Sequence, residues 1–407
     1  MSSLRKVQAR LRASGGLPRE VYVLGLIAFC VAVGFGVLVP VLPVFARSFG
    51  VDAFAVGAVV SAFAAVRLAT SPFCGRLINT FGERLVMATG IYVVAVSSGL
   101  AGISSSYVQL LVLRGIGGLG SAMFTVSATT LLLTSVDPGL RGRAAGFFQG
   151  GFLLGGMTGP AIGGLLSAVS LNAPFFFYAA TLAVAGTVGL VLLRTRSERG
   201  DVPDLPLVPF RQVLRDKRYQ AACATNLAQG WTSFGVRSTL VPVLVVEVLH
   251  RPTSWTGIAF ACAAVVQTLT LGPAGRFVDT VGRRPAMVAG GALAGVAILA
   301  VPFAPTIWLL IAALCLYGVA AAFLGTAPSA TVGDAAGGRG GTAVAVFSMC
   351  SDVGAIVGPL VAGLLVDRFS YPVAFAVGAA LLLAASATSA RMPRTAPVRE
   401  EVAGAAR

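Results

Sequence analysis

The sequence predicts an all-α membrane protein: twelve transmembrane helices in two pseudo-symmetric six-helix bundles. Three observations predict it. The chain of 407 residues is 56% hydrophobic and only 11% charged, whereas about a quarter of a soluble domain is charged. Its apolar residues fall into twelve stretches of membrane-spanning length, separated by short polar turns. The second half also repeats parts of the first at a spacing near 200 residues.

A span needs about 20 mostly apolar residues. The twelve stretches run 20–46, 53–78, 85–104, 107–134, 141–168, 172–194, 218–246, 254–278, 285–303, 306–333, 341–366 and 371–391. Backbone polar groups cannot stay unpaired in lipid, so uninterrupted apolar runs of this length are helices. The first run follows Arg5, Lys6, Arg10, Arg12 and Arg19, as a secretory leader would. It continues to about Ala46, too long for a leader's apolar core, and reads as an uncleaved first span.

The longest polar stretch, 195–217, carries Arg196, Glu198, Asp201, Pro203, Pro206 and Pro209, then Arg211, Arg215 and Lys217. It reads as a cytoplasmic linker. The expected organisation is a cytoplasmic tail at 1–19, a first six-helix bundle at 20–194, the linker, a second bundle at 218–391 and a second cytoplasmic tail at 392–407.

A formal charge of +15 on a soluble chain would suggest nucleic acid. Here the charge sets topology, and no nucleic-acid partner is expected. With both termini inside, cytoplasmic segments and helix ends carry 24 of the 30 basic residues. The outer loops carry three, Arg47, Arg251 and Arg368, and Arg67, Arg114 and Arg237 lie within spans. This asymmetry is the positive-inside pattern of a multi-pass protein. The 28 Arg against 2 Lys hint at a GC-rich bacterial genome and nothing more; the expected location is a bacterial inner membrane. The six cysteines all sit in apolar stretches with no CxxC pair, and His250 is the single histidine. Neither a metal site, a disulfide framework nor a histidine-based catalytic site is indicated.

The repeat is direct. Residues 75–90 read GRLINTFGERLVMATG and residues 275–290 read GRFVDTVGRRPAMVAG. At an offset of 199, Phe35-Gly36-Val37 matches Phe234-Gly235-Val236, and Gly159-Pro160 matches Gly358-Pro359. Internal duplication of a helical unit across a linker is a transporter signature.

Three motifs then make the chain resemble the major facilitator superfamily, in its twelve-helix drug:proton antiporter group, over essentially its whole length. The first is the loop from Gly75 to Arg84, with Asn79 and Gly82, echoed by Gly275, Asp279, Gly282 and Arg284. It is similar to the family's cytoplasmic G-x-L-x-D-R-x-G-R-R loop, whose glycines permit a tight turn and whose charges latch neighbouring helix ends. A basic turn that only sets topology is the alternative. Asn79 stands where the family has an acid, and Thr80 and Glu83 where it has basic residues. An Asn can cap a helix but cannot form an ion pair; Asp279 keeps the acid in the second copy.

The second motif is Arg114-x-x-x-Gly118-x-Gly120 in span four, similar to the Arg motif of proton-coupled members. The same stretch fits a dinucleotide fingerprint, Gly115-x-Gly117-x-x-Gly120, but that needs a βαβ unit and this one lies in an apolar run. A charge inside a span points to a polar cavity or a partner; the alternative is an Arg snorkelling to the outer surface. The third motif, Gly146-x8-Gly155-x3-Gly159-Pro160-x2-Gly163-Gly164 in span five, matches the antiporter pattern in full. Small residues on one face allow close helix approach and Pro bends the helix; a generic kinked packing helix is the alternative. The start of span one, from Gly34 to Pro43, also resembles twelve-helix drug exporters.

The resemblance implies that spans 2, 5, 8 and 11 join the halves, with 2 beside 11, and that spans 1, 4, 7 and 10 line a central cavity. Depth comes from the residues. Arg67 and Asp352 each lie 11 residues from the cytoplasmic ends of spans 2 and 11, as does Gln267 in span 8. At ~1.5 Å per residue that is roughly 16 Å, near mid-membrane. Asp352 is the only acid deep inside any span. It is expected to pair with Arg67 and to take up the proton, with Arg114 also in the coupling set; a purely structural pair is the alternative. The cavity candidates are Phe35, Asn226, Gln229, Trp231, Phe234, Arg237 and Tyr317, aromatic and polar groups suited to an amphiphile. With Arg114 and Arg237 there and no acid in span one, neutral or anionic compounds suit this lining better than cations.

The expected function is secondary active transport: proton-coupled efflux of small amphiphilic drugs or metabolites by alternating access. An uptake symporter of the same fold is the alternative. No nucleophile–base pair or P-loop survives inspection, so neither an enzyme nor a cofactor is expected. The partners are a small-molecule substrate, protons and the lipid bilayer, and the chain is expected to act as a monomer.

Overall fold

A computed structural model describes residues 17–136, 140–193, 210–335 and 341–393, and these are helices joined by short turns, with no strand among the described residues. The first six spans are the helices Arg19–Leu38, Ala53–Phe81, Glu83–Ala101, Tyr107–Thr134, Arg141–Val169 and Ala173–Leu192. Spans eight to twelve are Thr253–Thr280, Arg283–Ala300, Ile307–Ala335, Gly341–Arg368 and Tyr371–Ala390. Eleven helices among the described residues are long and apolar enough to cross a membrane.

The seventh span is built differently. An α-helix, Lys217–Gly230, passes into a π-helical turn, Trp231–Ser238, and then into a second α-helix, Thr239–Glu247. The apolar stretch read at 218–246 is therefore present, but no single piece of it has spanning length. Two features loosen the α register here. Gly235 lies directly against Gly358 of span eleven, and Pro242, inside the outer piece, lacks the N–H that would close a bond to the preceding turn. Thr239 Oγ1 compensates by donating to the Phe234 carbonyl at 2.6 Å.

The chain forms two compact units. One holds residues 1–39 and 65–202; the other holds 40–64 and 203–407, so the boundary passes through the unbroken helix Ala53–Phe81. In the first unit, spans one and five meet backbone to backbone. Gly155 faces the Phe29 carbonyl and Ala32, Gly159 faces Val33 and Gly36, and Gly163 faces Val37. Pro160 Cδ also lies beside Gly36. Gly164 is buried on the same helix, whereas Gly146, Gly150 and Gly156 look into open space. The spacing of four residues makes this one face of a helix, and the absence of Cβ atoms lets the backbones touch.

The second unit repeats that contact between spans seven and eleven. Gly354 faces Leu227 and the Trp231 N–H, Gly358 faces Trp231, and Gly235 faces Gly358. The sequence offset of 199 is thus a structural repeat of one helix-pair geometry. Spans three and four pack in the same manner, Gly90 against Gly120.

Span two runs to Phe81, three residues beyond the apolar stretch read at 53–78. Gly75 and Gly275 therefore lie within helices, and each faces open space. The turns themselves rest on Gly82 and Gly282, with φ of 81° and 114°, a region that costs an L side chain roughly 1–2 kcal/mol.

Candidate functional site

In the first unit, Arg114 sits two turns into span four and is 5% exposed. That burial rules out a guanidinium snorkelling along the lipid face. Its electrostatic neighbour is Tyr178 of span six, and the Tyr178 ring packs beside Gly34 of span one, next to half-buried Phe35. Arg67 is half-buried in the second span, and its carbonyl accepts Ser71 Oγ at 2.7 Å. Arg84, at the start of span three, donates to the Leu190 carbonyl in the last turn of span six. A cation at the carbonyl end of a helix satisfies an orphan acceptor and opposes the helix dipole.

The second unit makes a different tie, from the arginine one residue before the sequence equivalent of Arg84 and to span ten, not span twelve. Arg283 bridges Asp334, with Nε to Oδ2 at 2.8 Å, linking the start of span nine to the end of span ten. Asp279 and Arg284 make no side-chain hydrogen bond among the described residues. Periodicity did not single out Arg283 or Asp334, because which of two adjacent arginines points at the next helix depends on the turn set by Gly282.

The cavity candidates of span seven divide. Asn226 donates its side-chain N–H to the Phe347 carbonyl at 2.7 Å, across to span eleven. Gln229 and Phe234 are half-buried. Trp231 is 9% exposed, and its Nε1 has no hydrogen-bond partner among the described residues. Arg237 lies on the π-turn, its guanidinium carbon 5.4 Å from the Phe260 ring centroid of span eight and 5.7 Å from the Tyr317 ring centroid of span ten. Tyr317 is itself buried, and its hydroxyl is 3.1 Å from Ser233 Oγ. Ser233 and Arg237 thus meet the same tyrosine from one turn of span seven. Asp352 lies half-buried in span eleven, one residue from Ser351, whose carbonyl contacts Gly230.

Charged ties also gather at the other end of the second unit. Arg47, on the short helix Leu42–Arg47, bonds Glu247 at 2.7 Å and the Val51 carbonyl at 2.6 Å. The Glu247 bond holds the Arg47 guanidinium above its ordinary value, and Tyr371 donates to the second Glu247 oxygen at 3.2 Å. Asp367 accepts from the Ala53 and Phe54 N–H groups at 2.9 and 2.7 Å, capping the helix Ala53–Phe81 from the end of span eleven, while Asp52 caps Ala55 at 2.8 Å. Below that cap, Ser61 donates to the Ile356 carbonyl at 2.6 Å and Gly57 lies against Pro359. The adjacency of spans 2 and 11 implied by the resemblance is present over this stretch.

Replacing Asp367 with Ala should lower stability by about 1–2 kcal/mol, the cost of losing a charged helix cap. Replacing Arg47 with Gln should cost less than about 1 kcal/mol, since both members of its pair are 36% exposed and solvent screens them. Thermal unfolding in detergent would rank the two, and an equal or reversed ranking would contradict the assignment.

Among the described residues no group of three or more His, Cys, Asp or Glu side chains could hold a metal ion, and all six cysteines are free.

Residues 24–266 and 222–407 match the sequence model described as Major Facilitator Superfamily. The chain is 31% identical over 166 residues to Multidrug resistance protein 1 of Bacillus subtilis, covering 41% of this chain and 43% of that protein. It is 29% identical over 175 residues to Quinolone resistance protein NorA of Staphylococcus aureus, covering 43% and 45%. With the mouse synaptic vesicular amine transporter it shares 28% over 264 residues, covering 63% and 50%. The chain thus spans half or less of the length of these curated relatives. Among solved structures, a bacterial homolog of the human lysosomal transporter Spinster superimposes with a TM-score of 0.75 at 16% identity, covering 93% of this chain and 98% of that one. At that identity the likeness speaks for the fold.

Proposed function

Because the chain belongs to the major facilitator superfamily, a family of membrane transporters and not enzymes, we propose that it exports small amphiphilic compounds, drugs or metabolites, in exchange for protons. It is a multi-pass membrane protein that carries a small-molecule substrate. The finer reading places it in a bacterial inner membrane with both termini cytoplasmic, working as a monomer by alternating access.

The observation that carries the export reading is the complete span-five motif: Gly155, Gly159 and Gly163 form a bare face seated on span one, with Pro160 at its centre. The names of relatives, a multidrug resistance protein and a quinolone resistance protein, point the same way. In this reading Asp352 carries the proton and Arg67 is its counter-charge, a pairing that rests on equal depth in the sequence. An acid within a span is costly, and such residues mark ion pathways and proton relays. The aromatic and polar groups of span seven, with Tyr317, receive the substrate.

The test is accumulation of fluorescent amphiphiles in cells lacking the protein and in cells restored with it, with and without an uncoupler. Restored cells should hold less dye, and the uncoupler should abolish the difference. A difference of opposite sign, confirmed by efflux rather than uptake in inside-out vesicles, would establish the symporter alternative instead.

A further inference from the structure

We propose that Arg237 is the recognition point for a carboxylate, so that the substrates of this protein include aromatic organic acids held in their ionised form. The inference deepens the export reading and rests on it.

A guanidinium is charged at any physiological pH and offers five N–H donors in a planar fork. Arg237 holds one inside span seven, between the rings of Phe260 and Tyr317. Its Nε is buried and bonds to nothing among the described residues, and no carboxylate among them pairs with it. The side chain as a whole remains partly reachable by solvent. Two ring contacts offset only part of the cost of a charge within a span. A charge kept in hydrocarbon without a resident counter-ion is a binding device awaiting its partner.

The surroundings specify that partner. The fork matches two oxygens of a carboxylate in bidentate fashion, a charge-assisted pair that a neutral group cannot form. The rings of Phe260 and Tyr317 flank the fork, so the body attached to the carboxylate meets aromatic walls. Thr256 lies one turn before Phe260 on the same face of span eight, and its buried hydroxyl also bonds to nothing among the described residues. It supplies a second donor on that wall. Tyr317 is tied back to Ser233, which fixes its ring beside the guanidinium rather than leaving its hydroxyl to compete for the ligand.

The experiment uses the purified full-length protein in detergent at pH 7 and matched probes: 2-naphthoate with 2-naphthamide, and indole-3-acetate with indole-3-acetamide. Binding is followed by quenching of tryptophan fluorescence and by calorimetry. The wild type should prefer each acid over its amide by about tenfold or more, the worth of a charge-assisted pair of hydrogen bonds. Arg237→Gln should erase that preference, weakening the acid far more than the amide, and Arg237→Lys should keep only part of it, since an ammonium lacks the fork. No acid preference in the wild type would overturn the proposal without recourse to any variant. A preference that survives Arg237→Gln in protein that elutes as a single species would overturn it too. Uncoupler-sensitive export of neutral dyes with no acid preference would leave the export reading standing and this one refuted; acid preference without export of any compound would do the reverse.

Discussion

Asp352→Asn is expected to uncouple transport from the proton gradient while leaving downhill exchange of substrate in place. An amide has the shape of the carboxyl group but cannot bind or release a proton, so a cycle that moves one proton through Asp352 loses that contribution to its driving force. One elementary charge crossing the membrane contributes about 2.3 kcal/mol per 100 mV, which corresponds to roughly a fifty-fold substrate gradient. The variant in proteoliposomes should fail to build that gradient under an imposed potential or pH difference. Counterflow of substrate, which needs no proton, should continue. Full gradient-driven accumulation by the variant would remove Asp352 from the proton path. Exchanging the charges, with Arg67→Asp and Asp352→Arg together, separates coupling from architecture: a purely structural pair should work in either sense, whereas a carboxyl that titrates in span eleven should not survive its transfer to span two.

Gly159→Val should be among the most destabilising single changes in the first bundle, and Gly156→Ala, three residues away, should be neutral or stabilising. A Cβ at 159 would lie 2.7 Å from Gly36 Cα and 2.6 Å from the Val33 carbonyl oxygen. Both are backbone atoms of a helix and cannot swing aside, so spans one and five must separate along their length. Overpacking of a tight contact costs typically 1–3 kcal/mol, and loss of the neighbouring contacts at Gly155 and Gly163 adds to it. At Gly156 a Cβ would meet nothing within 4 Å, and Ala is a better helix former than Gly by about 1 kcal/mol. Thermal unfolding of the two variants in the same detergent should therefore shift in opposite directions, or at least by clearly unequal amounts. Equal losses would mean that the glycine face is not the packing surface described.

The helices and their number could be read from composition because lipid leaves the backbone so few options. Twelve apolar runs correspond, among the described residues, to eleven full-length helices and one interrupted span. The interruption escaped because a π-turn is decided by what lies beside it: Gly235 meets Gly358, and nothing in the run 218–246 itself announces that meeting. Side-chain partners were harder still. Asn226 reads as a polar group for the cavity, and its amide donates to the Phe347 carbonyl, whose second lone pair stays open to a side-chain donor even within a helix. Arg237 was visible as a charge in a span, but its two aromatic neighbours come from spans eight and ten, remote in the chain. The glycine motif was legible as a packing face; that its counterpart is span one depends on contacts between helices distant in the chain, and the 199-residue repeat then carries the same pairing to spans seven and eleven.

The cap that Asp367 places on the helix Ala53–Phe81 joins residues 314 positions apart. Ribosomes add about 5–20 residues per second, so roughly 15 to 60 s separate the emergence of that helix from the arrival of the acid that completes its amino end. During this interval the Ala53 and Phe54 amides must be served by water or lipid headgroups. The second span is therefore inserted early but finished late, and nascent chains truncated before Asp367 should be the ones that quality-control proteases find easiest to extract.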